Sequence, residues 1–298
     1  MGEKSMLSVS VIIPAFNREK FISEAVESIR SQDYDNIEII AVDDGSSDRT
    51  YEILKGFQEN GSLELYYHPR RANKGQSASI NLGISNASGD AIVILDSDDL
   101  LERGAVRRHV EFLESHPDIG LVYGYGKAID EKGEPLGFNT LGADHVERGD
   151  PNGLLLDCYI ALPGGAMVRK DVYKRVGGFA EEFRAGQDHD MALRLFEETK
   201  VAYVPEAAFC YRKHEDSISN KGLERRWKTG FEILDRARGR YPYRAATIRK
   251  RAAVLNFRLG QTYWRQGRRL EALPLLLKSG LLDPVRAVKV LVGHELSN

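Results

Sequence analysis

Residues 91–100, AIVILDSDDL, constrain this chain more than any other stretch. Ala91, Ile92, Val93, Ile94 and Leu95 run directly into three acids, Asp96, Asp98 and Asp99. A short apolar run without polar alternation, bounded by polar residues, reads as a strand buried on both faces. Acids at the C-terminal end of such a strand sit where open α/β sheets bind their ligands. In extended chain Asp96 and Asp98 point to the same side of the pleat, about 7 Å apart at Cα. Two carboxylates that close repel unless something positive lies between them. Mg2+ takes one or two carboxylates together with phosphate oxygens, so a divalent cation carrying a phosphate fits this cluster. A solvated acidic loop capping the next helix fits it too.

The surrounding pattern is α/β. Residues 9–14 (VSVIIP) form a first apolar strand, followed by the turn AFNRE and a helix with Phe21, Ile22, Ala25, Val26 and Ile29 on one face. Residues 37–42 form a second strand that ends in Asp43-Asp44-Gly45-Ser46-Ser47. Ser47 or Asp48 caps the next helix, which buries Ile53, Leu54 and Phe57. Strands alternating with helices at this spacing predict βαβ units and a largely parallel sheet. A strand at residues 63–67 and a helix at 75–85 precede the acidic stretch. Beyond it the expectation is a helix over Ala105–Ser115, a strand over 120–128 and a turn-rich region over 130–153. The loop Leu162-Pro163-Gly164-Gly165 leads into the apolar Ala166-Met167-Val168. A helix opening at Asp188 buries Met191, Ala192, Leu195 and Phe196, and short strands follow at 201–204 and 207–211.

With 298 residues, 42% hydrophobic and 29% charged, the chain has the composition of a soluble globular protein with a sizeable core. Its net charge of −2 hides an asymmetry. Residues 1–211 carry 22 Lys and Arg against 36 Asp and Glu, net −14, whereas residues 212–298 carry 20 against 8, net +12. The basic part suggests a separate unit facing an anionic membrane surface or a phosphorylated substrate, or simply a solvated helical surface. Nucleic acid is not an expected partner, because the acidic part repels it and no binding motif is present. Cys158 and Cys210 make neither a disulfide framework nor a metal spacing. MGEKS lacks a signal-peptide core, and no apolar run reaches the ~18 residues of a membrane span. The best candidate, LEALPLLLKSGLLDP, is broken by Pro274, Lys278 and Asp283. The expected location is the cytoplasm, with peripheral contact at the inner face of a membrane.

From Ser217 onward the sequence reads as helical and basic. Residues 253–286 fit a 34-residue tetratricopeptide spacing at Leu259, Gly260, Tyr263, Gly267, Ala272, Leu276 and Pro284. Asn256 stands where that pattern has Trp, no second copy lies upstream, and an ordinary helical hairpin fits equally. A single such hairpin cannot bury its own face and needs the rest of the chain or a protein partner.

Five motifs in order are more specific. SVIIPAFN (10–17), VDDGSSDRT (42–50), NKGQSASINLG (73–83) and LDSDD (95–99) are followed by the series Gly178-Phe179, Gln187-Asp188 and Tyr211-x-x-His214-x-x-Ser217. Together they resemble the family-2 glycosyltransferases over residues 8–220. The resemblance implies a GT-A fold, Rossmann-like with a largely parallel central sheet and flanking helices. A catalytic domain over residues 1–216 would then precede a basic helical region over 217–298. It also implies a nucleotide-diphosphate-sugar donor (a UDP-sugar foremost), a divalent metal (Mg2+ or Mn2+) and inversion at the anomeric carbon.

Physical chemistry gives each motif a task. Pro14, Phe16 and Asn17 close the first strand, where the backbone and the Phe16 ring can hold a flat base. Asp44 is an acceptor-only carboxylate suited to the imide N–H of a uracil or the amide edge of a guanine; it also suits a turn before Gly45. Asn73, Lys74 and the helix start near Gly75 can meet ribose or phosphate. By resemblance, Asp96 with Ser97 contacts the nucleotide sugar and Asp98 ligates the metal on the pyrophosphate, with Asp99 a lesser participant. His214 would be a third metal or pyrophosphate contact, although a lone His near a domain junction also serves structure. A metal there stabilises the leaving charge, and a general base opposite it contributes typically ~10²–10⁴ in rate. Asp188 occupies the family's base position, where it also suits helix capping, and Gln187 replaces the usual glutamate before it. Asp190 reads as a structural partner and His189 as facing solvent or acceptor.

Leu223-Glu224-Arg225-Arg226-Trp227 lacks the leading Gln of the Gln-x-x-Arg-Trp signature of processive members. Without membrane spans, this implies one sugar per encounter, delivered to a glycan or lipid-linked acceptor. A sugar-nucleotide-forming nucleotidyltransferase is the alternative enzyme, but PAFNRE lacks its glycine-rich loop. A catalytically dead scaffold is the other alternative, and retention of Asp44, Asp96, Asp98 and Asp188 speaks against it.

Overall fold

The computed structural model describes residues 6–214 and 222–291. Its first four strands, β1 (Val9–Ala15), β2 (Ile37–Asp43), β3 (Glu64–Tyr67) and β4 (Ala91–Ile94), are mutually parallel in the order β3-β2-β1-β4. Helices α1 (Ile22–Arg30), α2 (Thr50–Glu59) and α3 (Gln76–Asn86) connect them. β1 and β4 are buried along their whole length, as continuous apolar runs must be when helices cover both sheet faces. α1 buries Ile22, Ala25, Val26 and Ile29, the face its periodicity defines. At the start of α2 it is Asp48 that accepts the Thr50 N–H, at 2.9 Å.

The second half of the sheet is mixed. After β5 (Leu100–Leu101), α4 (Ala105–Ser115), β6 (Ile119–Ile129) and β7 (Pro135–Asn139), the chain passes through α5 (Pro151–Leu156) and the single turn α6 (Leu162–Gly165). It then returns as β8 (Ala166–Arg169), which inserts antiparallel between β4 and β6. Helices α7 (Lys170–Val176) and α8 (Gln187–Glu198) lead to β9 (Lys200–Arg212), parallel to β6 and antiparallel to β5. The expected parallel sheet therefore holds for β3 through β4 and gives way beyond it, because β8 arrives from a long excursion and not from a βαβ crossover. The two short strands expected at 201–204 and 207–211 are one strand, with register shifts against β6 around Tyr123 and Tyr125. β7 lies in the turn-rich region, pairs with β6 and is exposed at every residue.

Contacts divide the chain into two units. The first comprises Met1–Gly149, Tyr159–Glu182 and Gln187–Glu215 and carries the sheet; the second comprises Asp150–Cys158, Phe183–Gly186 and Asp216–Asn298. The second unit holds α5 and helices α9 (Leu223–Arg240), α10 (Ala245–Arg265), α11 (Arg269–Leu282) and α12 (Pro284–Leu291). Leu259, Tyr263 and Ala272 form a small core there, packed by Trp227, Phe231 and Leu275. Residues 253–286 form a helical hairpin that turns at Gly267 (φ +79°) and reaches the start of α12; the tetratricopeptide reading of it rests on spacing alone. Ser217, the last residue of the motif series, and the expected boundary at 216 lie outside the described residues.

Candidate active site

β4 stops at Ile94, and the Leu95 N–H still reaches Ile12 O at 2.9 Å. The chain then turns, the Asp99 N–H donating to Asp96 O at 3.0 Å. This turn replaces the extended geometry expected for Asp96 and Asp98. It gathers a third acid as well, since carboxylate oxygens of Asp96, Asp98 and Asp99 all lie within 4.8 Å of one another. Crowding and burial oppose ionisation. Asp96 is pushed up to about 7, chiefly by desolvation and then by the charges of Asp98 and Asp188. Asp99 is raised well above the usual carboxylate range by desolvation, Asp96 and Asp98.

Each acid is held by a named partner. Asp98 Oδ2 accepts from Arg18 Nε and from His214 Nε2, both at 2.9 Å. The His214 side chain is 3% exposed and its ring lies 4.9 Å from that of Phe21. Asp99 Oδ1 accepts the Arg212 N–H at 2.8 Å. The Arg212 side chain, 1% exposed, donates from Nε to Asp98 O, from Nη1 to Glu131 O and from Nη2 to Glu24 Oε2, at 2.9, 2.9 and 2.6 Å. Asp96 Oδ1 accepts Gln76 Nε2 at 2.7 Å, and Gln76 Oε1 accepts Gln187 Nε2 at 2.8 Å. The two amides thus link the acid turn to the start of α8, where Asp188 is exposed and near enough for its charge to act on Asp96.

Asp44 is 4% exposed, and its two oxygens accept the backbone N–H groups of Lys74 (2.7 Å) and Gly75 (2.8 Å). It clasps the end of β2 to the loop before α3, which brings Asn73 and Lys74, both exposed, beside it. His68 Nε2 lies 3.6 Å from Oδ1, the oxygen that holds Lys74. At the neighbouring Gly45 (φ +76°) a Cβ would lie 2.3 Å from Arg71 O. Asn17, at φ 52°, accepts the Ser47 N–H on Oδ1 at 2.8 Å and donates its own N–H to Ser46 Oγ at 3.0 Å, joining two loops. Beside it Phe16 is 43% exposed, whereas Pro14 and Ser97 are buried. His189, expected to face solvent or acceptor, is buried instead; Asp190 pairs with Arg194 at 2.9 Å within α8, and Arg194 Nη1 donates to Val176 O at the end of α7 at 2.9 Å.

Arg18, Gln76 and Arg212 escaped the reading of residue types. Their signals were faint: a cation straight after Asn17, an amide inside the third motif, and an arginine two residues before His214.

Parallel strands that deliver an acid turn to one edge, continued by an antiparallel β8, make this a GT-A glycosyltransferase fold. TarS 1–349 of S. aureus in complex with UDP-GlcNAc is similar to it with a TM-score of 0.71 over 92% of this chain and 79% of that one, at 18% identity. The mannosyltransferase PcManGT of Pyrobaculum calidifontis, in complex with GDP-Man and Mn2+, is similar with a TM-score of 0.63 over 98% and 80%, at 19% identity. A longer TarS chain is covered over 44% of its length. In sequence, the family described as Glycosyl transferase family 2 matches residues 10–177. EpsE of Bacillus subtilis (strain 168) is 33% identical over 218 residues, 72% of this chain and 76% of EpsE. The chain belongs to glycosyl transferase family 2.

Proposed function

We propose that this chain is an inverting, metal-dependent glycosyltransferase that moves one sugar per encounter from a nucleotide-diphosphate sugar to a glycan or lipid-linked acceptor. The observation that carries the reading is the amide chain from Asp96 through Gln76 to Gln187, which ties the start of α8, with the base candidate Asp188, to the acid turn. The residues present fit a divalent cation: oxygens of three carboxylates lie within 4.8 Å of one another, and Asp96 and Asp99 are each raised in part by the charge of their acidic neighbours. Asp98, with Asp96 and Asp99 adjoining and His214 within reach, would hold it, and bound there it would supply positive charge to a departing diphosphate.

The chain's own groups have separate tasks. Asp188, exposed at the start of α8, takes the proton of the acceptor hydroxyl. Attack from that side, opposite the leaving diphosphate, inverts the anomeric configuration. Asp96, oriented by Gln76, accepts a hydroxyl of the donor sugar. Phe16 stacks on the base, Asp44 accepts from its edge, and Asn73 and Lys74 meet the ribose and phosphates. A UDP-sugar is the first donor to test, given the nucleotide captured with TarS, and a GDP-sugar the second, given PcManGT. Cys158 and Cys210, neither of them in a disulfide, suit a reducing cytoplasm.

The test is transfer and donor hydrolysis with UDP-, GDP- and dTDP-sugars, with and without Mn2+, with product configuration read by NMR. One nucleotide should raise the melting temperature in the presence of Mn2+, and Asp98→Ala should abolish the Mn2+-dependent part. Asp188→Asn should lower kcat by about 10²-fold or more with donor KM little changed. Unchanged turnover in Asp188→Asn, or retained configuration, overturns the mechanism.

A further inference from the structure

α11 is apolar around most of its circumference; RLEALPLLLKSGLL carries charge only at Arg269, Glu271 and Lys278. Its inner face is accounted for. Ala272 is fully buried, Leu275 packs on the core of Leu259 and Tyr263, and Ser279 Oγ donates to Ala253 O at 2.8 Å. Leu276 lies so close to Gly260 that a Cβ there would sit 3.0 Å from it. Among the described residues the outer face is uncovered: Leu270, Leu273, Leu277 and Leu281 are 88, 46, 68 and 83% exposed. At helical pitch these four fall within an arc of about 80° opposite Ala272. A lone exposed leucine is ordinary. Four on one stripe form a patch of the kind that marks an interaction surface, and a helix apolar on all sides is normally covered on all sides.

Charge decides what covers it. Residues 264–291 contain six cations, Arg265, Arg268, Arg269, Lys278, Arg286 and Lys289, and two acids. Arg268 is taken up by Glu271 at 2.6 Å and Glu224 at 2.8 Å, and Asp283 accepts the Arg286 N–H at 3.2 Å, so the segment's six cations less its two acids leave it positive by four. A second copy would bring the same positive rim against this one, within a region of net charge +12. An anionic bilayer meets that rim with opposite sign while the leucines enter the acyl boundary. Trp264, 46% exposed with the Arg269 guanidinium 5.4 Å from its ring, is the aromatic type that favours the headgroup level.

We infer that the outer leucine stripe of α11 is a docking surface for an anionic lipid bilayer, seated by apolar insertion and a basic rim. It stands independently of the donor, base and metal assignments. The full chain is sedimented with vesicles of phosphatidylcholine alone and of phosphatidylcholine with phosphatidylglycerol. Binding is expected to the anionic vesicles and not to the neutral ones, weakened severalfold by added salt. The triple variant Leu270→Ser, Leu277→Ser, Leu281→Ser should bind at least about tenfold more weakly with an unchanged melting temperature, since the replaced side chains are exposed. Arg269→Glu with Lys278→Glu should weaken binding with the leucines intact. Absent binding, equal binding to neutral vesicles, or unaltered binding by the triple variant overturns the inference. So does a concentration-dependent dimer that the triple variant abolishes, which would assign the stripe to a second copy.

Discussion

Asp98 gives one carboxylate oxygen to two donors, Arg18 and His214, while its backbone carbonyl is held by Arg212. Arg212 is thus the staple of the acid turn, and its removal leaves the carbonyls of Asp98 and Glu131 without their donor. Glu24, the third partner, is more than half exposed, so solvent screens its share and the cost falls on the buried carbonyls. Arg212→Met is expected to lose about 2–4 kcal/mol of stability, read as a lower urea midpoint. Arg212→Lys should recover only part, because one ammonium cannot span partners that a planar fork reaches. At this scale Asp96, Asp98 and Asp188 were legible as acids in recognisable motifs. Arg18, Gln76 and Arg212 were not, because each meets its acid across a long separation in sequence and no local pattern encodes such a meeting.

Among the elements, α3 lies against β1 at a point where no side chain fits. A Cβ on Gly83 would lie 2.4 Å from Ile12 Cγ2, and Ile12 is fully buried. Alanine there gains about 1 kcal/mol of helix propensity but overpacks a rigid contact at about 1–3 kcal/mol. Gly83→Ala should therefore destabilise, by roughly 1 kcal/mol, and lower the melting temperature. Gly56 in α2 has nothing within 4 Å of the same atom. Gly56→Ala should stabilise by roughly 0.5–1 kcal/mol in the same assay, with propensity unopposed. The boundaries of α4 and the buried run of β4 were readable from periodicity. The continuity of β9 was not, since Pro205 and Glu206 look like a break when the partner strand that absorbs the register shift is unseen.

For the whole molecule, buried ionisable groups set the response to acid. His109, buried in α4, is pushed down to about 4 by desolvation first and Arg108 second. An unfolded histidine titrates near 6.5, so between these values the unfolded chain binds the extra proton. Stability is then complete above about 6.5 and is lost as pH falls toward about 4, on the order of 3 kcal/mol in total. Asp96 acts with the opposite sign: its raised pKa means that acidification below about 7 favours the folded state. Comparing urea unfolding of the parent and His109→Leu across that range isolates the histidine, and the variant should show a flatter acid limb. The amino-acid pattern alone determined the α/β class, the leading parallel strands, the acids at the end of β4 and the family resemblance, because buried strands and amphipathic helices are written in local periodicity. The tertiary structure decided that β8 runs antiparallel between β4 and β6, and that a turn packs three carboxylates together with Arg18, Gln76, Arg212 and His214 around them. Those contacts join segments far apart in the chain, where geometry set by the packed sheet, and no local period, selects the partners.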